Sequence, residues 1–177
     1  QLALGVERLD LTVDIVQNEI SARAAFASRS AGTISAQGRT RLSRRGNTWG
    51  VAGDAPATLE AEARLGSIRA LAAVFSGDVS ADGKVEARLI GRGTIASPNL
   101  RGTLQGEDIS IEQVATGVFF GNGTLKAAFT PGLVQLQEFR IRAGDGDFAT
   151  SGSFRFDRES LELQWSARQL AAVQLPD

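Results

Sequence analysis

The sequence predicts an all-β protein: a long, curved, mostly antiparallel sheet carrying one short helix. Three observations lead there. Apolar and polar residues alternate with a period of two in run after run, as half-buried strands require. The runs recur roughly every ten to fourteen residues, the spacing of a meander. Glycine is abundant, 20 of 177 residues, while proline is scarce at 4, a balance that suits turns and bulges between ordered strands.

The elements follow in chain order. Leu9, Leu11, Val13 and Ile15 alternate with Asp10, Thr12 and Asp14, and Ile20, Ala22, Ala24 and Phe26 form the next apolar face. Ile34, Ala36, Gly38, Thr40 and Leu42 lead into Ser43-Arg44-Arg45-Gly46-Asn47, a hairpin turn ahead of Trp49 and Val51. Leu59, Ala61, Ala63 and Leu65 alternate with Glu60, Glu62 and Arg64 and read as a strand, although Ala, Glu and Leu leave a helix from Pro56 as the rival. Ser67 is placed to cap a short helix over residues 67–75, where Ile68, Leu71, Ala72 and Phe75 make one apolar stripe. Val85, Ala87 and Leu89 continue the strand pattern, as do Leu125, Ala127 and Phe129, with Asn122-Gly123 expected as a tight hairpin turn. Phe139 and Ile141, then Phe148, Thr150, Gly152, Phe154 and Phe156, then Leu161, Leu163, Trp165 and Ala167 complete the series.

Residues 1–177 thus read as a single β-rich domain, with hairpin sets over 1–54 and 78–168. The stretches Gly32 to Leu42 and Gly146 to Phe156 share both glycines and the apolar residues two and ten positions after the first, a two-copy echo of one strand unit. The chain opens at Gln1 inside an alternating run without Met or signal sequence, and Leu175-Pro176-Asp177 reads as a linker, so the expectation is a segment of a longer polypeptide.

Composition narrows the function. With no His, Cys, Tyr or Met, the chain lacks the parts of a Ser-His-Asp triad, a thiol nucleophile, a disulfide or a His/Cys zinc site. The expectation is a protein without enzymatic activity and without a cofactor. A net charge of −1 writes no nucleic-acid footprint into the balance. The longest apolar stretch, Ile68 to Phe75, contains Arg69 and falls far short of the roughly 18 residues a spanning helix needs.

A long sheet with one apolar face must cover that face with a second sheet, with helices, or with something outside the chain. One short helix is insufficient. The sheet therefore either folds into a filled sandwich or curls into a trough whose apolar concave wall receives a ligand. Alanines at 22, 24, 36, 61, 63, 87, 127 and 167 fill space poorly between sheets about 10 Å apart, which favours the trough.

The stretch from Gly83 to Leu104, with Ala87, Leu89, Gly93-Thr94, Pro98, Leu100 and Gly102 in order, resembles the repeat signature of the TamB-type periplasmic proteins and their AsmA-like relatives. Gly117 through Gly123-Thr124-Leu125 and Ala143-Gly144-Asp145-Gly146 with Gly152 resemble two further steps of that pattern. The resemblance spans about Leu59 to Leu170, the first 58 residues fitting more loosely. It implies a taco-like β-trough in a protein anchored in the inner membrane of a Gram-negative bacterium and crossing the periplasm. It also implies an outer-membrane insertase barrel as partner within a translocation and assembly module. Its client would be phospholipid, or unfolded autotransporter and outer-membrane protein segments. The trough lining expected here is Val85, Leu89, Ile95, Leu100, Leu104, Leu125, Phe129, Leu136, Ile141, Phe148, Phe154, Leu163 and Trp165, each of which also suits a filled core position. A purely structural spacer with a sandwich core, assembling through its sheet edges, is the alternative.

Other signals read as local structure. Asp145 and Asp147 around Gly146 lack the ligand ladder of a calcium loop and suit a polar turn. Gly91-Arg92-Gly93, without a third glycine in register, suits a bulge or bend. Glu107-Asp108 suits a solvated turn. Arg39, Arg41, Arg44 and Arg45 form a basic cluster that suits a solvated hairpin, with lipid headgroups or a partner as the functional reading.

Overall fold

Runs in which apolar residues alternate with polar ones settle into extended chain with two unlike faces. In the computed structural model of the protein, eleven such strands join in one antiparallel sheet. The structure describes residues 5–69, 72–73, 79–113, 116–156 and 158–169. The strands are β1 (Val6–Val16), β2 (Glu19–Ser28), β3 (Gly32–Arg45), β4 (Thr48–Val51), β5 (Pro56–Leu65), β6 (Val79–Thr94), β7 (Pro98–Gln113), β8 (Val118–Thr130), β9 (Leu133–Ala143), β10 (Gly146–Arg155) and β11 (Ser160–Arg168). Hydrogen bonding follows chain order from β1 to β3 and from β5 to β11, as short connections dictate. The exception is β4, which pairs with the far end of β3 (Leu42 to Arg45), while β5 takes Gly32 to Thr40 of the same strand. β1 and β11 do not pair, so the sheet is open and not a barrel.

Turn chemistry sets the register. Gln17 and Asn18 both hold positive φ, 47° and 68°, closing β1 on β2 in the two-residue form that matches strand twist. Gly46, at φ 65°, opens the predicted β3–β4 hairpin. Leu59 to Leu65 is strand, not helix, because β3 and β6 pair with it on both sides. The predicted helix is present at Arg69, Ala72 and Ala73, where the Ala72 N–H donates to the Ile68 carbonyl at 2.8 Å. Ser67 caps it by accepting from the Arg69 N–H at 3.3 Å. Leu71 and Phe75 of the expected stripe, and the expected linker at 175–177, lie outside the described residues.

Three local expectations are corrected. Asn122-Gly123 is not a turn: it sits inside β8 at a bulge where Asn122 has φ 51° and the pairing jumps between Gly121 and Thr124. The turn that opens β8 is at Thr116-Gly117. Glu107-Asp108 likewise lies within β7, as a bulge with Asp108 at φ 53°, and both side chains are exposed. Gly91-Arg92-Gly93, in contrast, pairs regularly with Leu100, Asn99 and Pro98 and forms no bulge. Asn-Gly and acidic pairs supply left-handed backbone equally to turns and to bulges, and cross-strand pairing decides which one forms.

The sheet has no filled sandwich core among the described residues. Among the described residues no large side chain is fully buried, and the buried apolar residues are Ala31, Ala55, Leu65, Ile109, Ala127, Ile141 and Ala143. The chain exposes 12392 Å², against about 8,300 Å² for a compact monomer of 18.7 kDa. Most of the burial lies in a band at one end of the strands. There Ile109 seats against three glycines: a Cβ added at Gly83, Gly106 or Gly123 would come within 2.9 Å of an Ile109 atom. The bulges at Gly83, Asp108 and Asn122 fall in this same band, where they bend and twist their strands.

Candidate functional site

Because every hairpin keeps register, the period-two pattern of each strand lines up with its neighbours. One row across the sheet runs Leu9, Phe26, Ile34, Ala63, Ala87, Leu104, Ala127, Leu136, Gly152, Leu163. The next runs Leu11, Ala24, Ala36, Ala61, Leu89, Gly102, Phe129, Val134, Phe154, Leu161. Neither contains a polar side chain. A third, Val13, Ala22, Gly38, Leu59, Gly91, Leu100, extends the apolar surface toward the β1–β2 turn. Between the first two on the opposite face lies Asp10, Ala25, Ser35, Glu62, Arg88, Thr103, Ala128, Gln135, Ser153, Glu162. The result is one sheet with an apolar side and a polar side.

No second layer covers the apolar side among the described residues. Its outer strands are open to solvent: Leu9 and Leu11 are each 74% exposed and Trp165 is 71%. Toward the middle, Leu89, Leu104, Phe129, Leu136 and Phe154 are half-buried, shaded by their neighbours in the row. Phe139 and Phe148 meet edge to face with ring centres 6.5 Å apart, a favourable aromatic geometry.

Of the expected lining, Val85, Leu89, Leu100, Leu104, Leu125, Phe129, Leu136, Phe148, Phe154, Leu163 and Trp165 share this face. Ile95 does not. It lies in the β6–β7 turn, 47% exposed, with its N–H bonded to the Ala55 carbonyl. Ile141 is on the face but only 4% exposed, so it belongs to the packed band rather than to an open wall. The expected lining also left out the N-terminal third of the same surface, Leu9, Leu11, Phe26, Ile34 and Leu59. The alternation of those strands was the signal that marked them.

The polar side carries ion pairs and furrows. Gln37 donates to Glu60 at 2.6 Å, Arg64 pairs with Glu62 at 2.6 Å and Lys84 with Asp108 at 2.9 Å. An open furrow of about 870 Å³ crosses β1, β2, β3, β5 and β6. On β2, β3, β5 and β6 each strand gives it two polar-face residues and the one between them, as in Arg23-Ala24-Ala25 and Glu60-Ala61-Glu62, which puts it on the polar side. Asp82 binds the Ser67 hydroxyl at 2.6 Å, the Gly83 N–H at 2.8 Å and Arg69 at 2.8 Å. Burial acts to raise its carboxyl, but those three contacts outweigh it and hold the group below the ordinary carboxylate value. This cluster fastens the helical segment to β6. The hydrogen bond and charge of Asp108 raise the exposed Lys84. Among the described residues no three His, Cys, Asp or Glu side chains gather as a cation site. Comparison with protein-family models, with curated proteins and with solved structures gives no match to this chain.

Proposed function

We propose that the apolar side of the sheet is a carrying surface for lipid acyl chains, in a segment of a TamB-type, AsmA-like protein. Such a protein acts in the periplasm, anchored in the inner membrane and working with an outer-membrane insertase barrel during outer-membrane biogenesis. The observation that carries this reading is the pair of unbroken apolar rows, ten residues each, on a face that no second layer covers among the described residues. A contiguous exposed apolar surface marks an interaction site. Burying ten methylenes of an acyl chain there gains roughly 8 kcal/mol before the costs of immobilisation. Alanine and glycine between the larger side chains lower the wall locally, which suits a tail lying across strands.

The test is mass spectrometry of lipid extracted from the purified protein beside a control protein handled identically. Phospholipid in stoichiometric amount is the expected result. Leu89→Arg should remain folded, since Leu89 is half-buried on an open face, and should lose that lipid. A folded Leu89→Arg protein that stays loaded would overturn the assignment.

A second reading, an unfolded outer-membrane protein segment as client, is favoured by β1. Every residue of that strand is exposed, and a free edge accepts an added strand. Site-specific crosslinking from Thr12, on that edge, distinguishes the two: capture of unfolded outer-membrane protein by a lipid-free protein supports the polypeptide.

A further inference from the structure

We propose that one end of the polar side, spanning β2, β3, β5 and β6, docks on an anionic membrane surface through Arg23, Arg39, Arg41 and Arg92. All four are exposed, and among the described residues none has a carboxylate within ion-pair distance. Most cations at the opposite end of the strands are differently placed, although Arg142 and Arg168 there are likewise exposed and outside ion-pair distance of a carboxylate among the described residues. Arg29 is tied to Glu7, Arg64 to Glu62, Arg69 to Asp82 and Lys84 to Asp108.

Register spreads the four arginines over a plane. Arg39 and Arg92 share a row with only Thr58 between them, roughly 10 Å apart at ordinary strand spacing. Arg41 follows Arg39 by two residues, about 7 Å along the strand. Two open furrows, of about 590 and 480 Å³, meet at Arg39. The first includes Arg41, and the second includes Arg23 and Arg92 over the glycines Gly38 and Gly91. Of the carboxylates beside them, Glu60 is engaged by Gln37, Glu19 faces Arg41 across the strand pair, and Asp14 stands in the row of Arg39 with Ser21 between them. Guanidinium groups spaced in this way do not converge on one small anion. They match a layer of phosphates, each reached separately between the side chains.

The net charge of −1 gives the whole chain no attraction to an anionic surface, so attraction depends on segregation. The far end carries Glu86, Glu107, Asp108 and Glu112 beside its own cations, whereas from β2 to β6 the arginine end sets Glu19 and Asp54 against Arg23, Arg39, Arg41, Arg44 and Arg92, so a negative surface turns the arginine end toward itself. This inference goes beyond the carrying function and does not depend on it.

The test is flotation of the protein with vesicles of phosphatidylcholine alone and of phosphatidylcholine and phosphatidylglycerol in equal parts. Binding is expected only to the second, and it should weaken as salt rises. At about 1 kcal/mol per arginine near such a surface, Arg39→Gln/Arg41→Gln/Arg92→Gln should bind roughly a hundredfold more weakly. Arg8→Gln/Arg29→Gln/Arg64→Gln, at the paired end, should bind as the native protein does. Equal binding to both vesicles, or equal loss in both triple variants, would overturn the proposal. So would displacement by inorganic phosphate beyond that by chloride of matched ionic strength, which would mark a discrete phosphate site. Leu89→Arg separates this surface from the carrying face, since it should lose extracted lipid yet keep salt-dependent vesicle binding.

Discussion

Ile109 and Asp82 show how much a single side chain decides in a sheet with so little core. Ile109 is 7% exposed and fills the space left by three glycines. Ile109→Ala should therefore destabilise the protein by about 2–5 kcal/mol, read from the urea midpoint, whereas the same truncation at the exposed Leu9 should cost little. Gly32 holds φ 112°, and a Cβ there would lie 2.2 Å from the Arg64 carbonyl oxygen, so Gly32→Ala should cost more than about 1 kcal/mol. Asp82 gives a pH dependence with a definite sign. Its carboxyl is lower in the folded protein than its ordinary value of 3.8, so its contribution is present above that value and is lost as pH falls through the folded one. Urea midpoints taken down to about pH 3 should fall less steeply for Asp82→Asn than for the native protein. An unchanged slope would mean that the Ser67 and Arg69 contacts do not form in solution. Lys84 is raised by Asp108, yet the pair is fully hydrated, and Lys84→Met should leave the midpoint where it is.

Among the elements, β1 and β11 carry the least support. Each has one paired edge and one free edge among the described residues, and Leu11 and Leu163 are 74% and 53% exposed. Ten strands lie on the main path of the sheet, an even number, so β11 of one copy meets β1 of another in the antiparallel sense. Long free edges with apolar side chains pair with other chains. The protein should associate with rising concentration, and Leu11→Lys/Leu163→Lys should suppress this without unfolding it. Sedimentation velocity over a concentration range measures both, and association that persists unchanged in the double variant would place the contact elsewhere. The short helix makes a contrast: among the described residues, polar contacts of Ser67 and Arg69 with Asp82 tie it to β6.

At the scale of the molecule, one sheet whose apolar side is uncovered among the described residues has more surface and less core than a compact domain of its length. The 12392 Å² of exposed surface predicts a urea m-value below that of compact proteins of similar size, because m follows the area newly exposed on unfolding. It also predicts that an apolar dye binds the native state while near-ultraviolet dichroism from Trp49 and Trp165 is retained, which separates an open native face from a molten state. Loss of the dye signal in Leu89→Arg would locate the binding on the rows described.

Alternation along the chain makes the strands legible, and with them most of the side chains that share a face, because side-chain direction in a strand alternates between odd and even positions until a bulge resets it, as one does between Leu136 and Phe139 in β9. For this reason side chains as far apart as Val85 and Trp165 lie on one face of the sheet. Position along a strand was not legible in the same way. Whether Asn122-Gly123 turns or bulges, whether Ile95 sits on the face or beyond its end, and whether Ile141 is lining or core all depend on which residues pair across strands. So does the uncovered state of the apolar side, since the same periodicity suits a sandwich and an open sheet. Local sequence sets a residue's face through backbone geometry; register, bulges and the absence of a second layer come from hydrogen bonding between segments, which no single stretch of sequence contains.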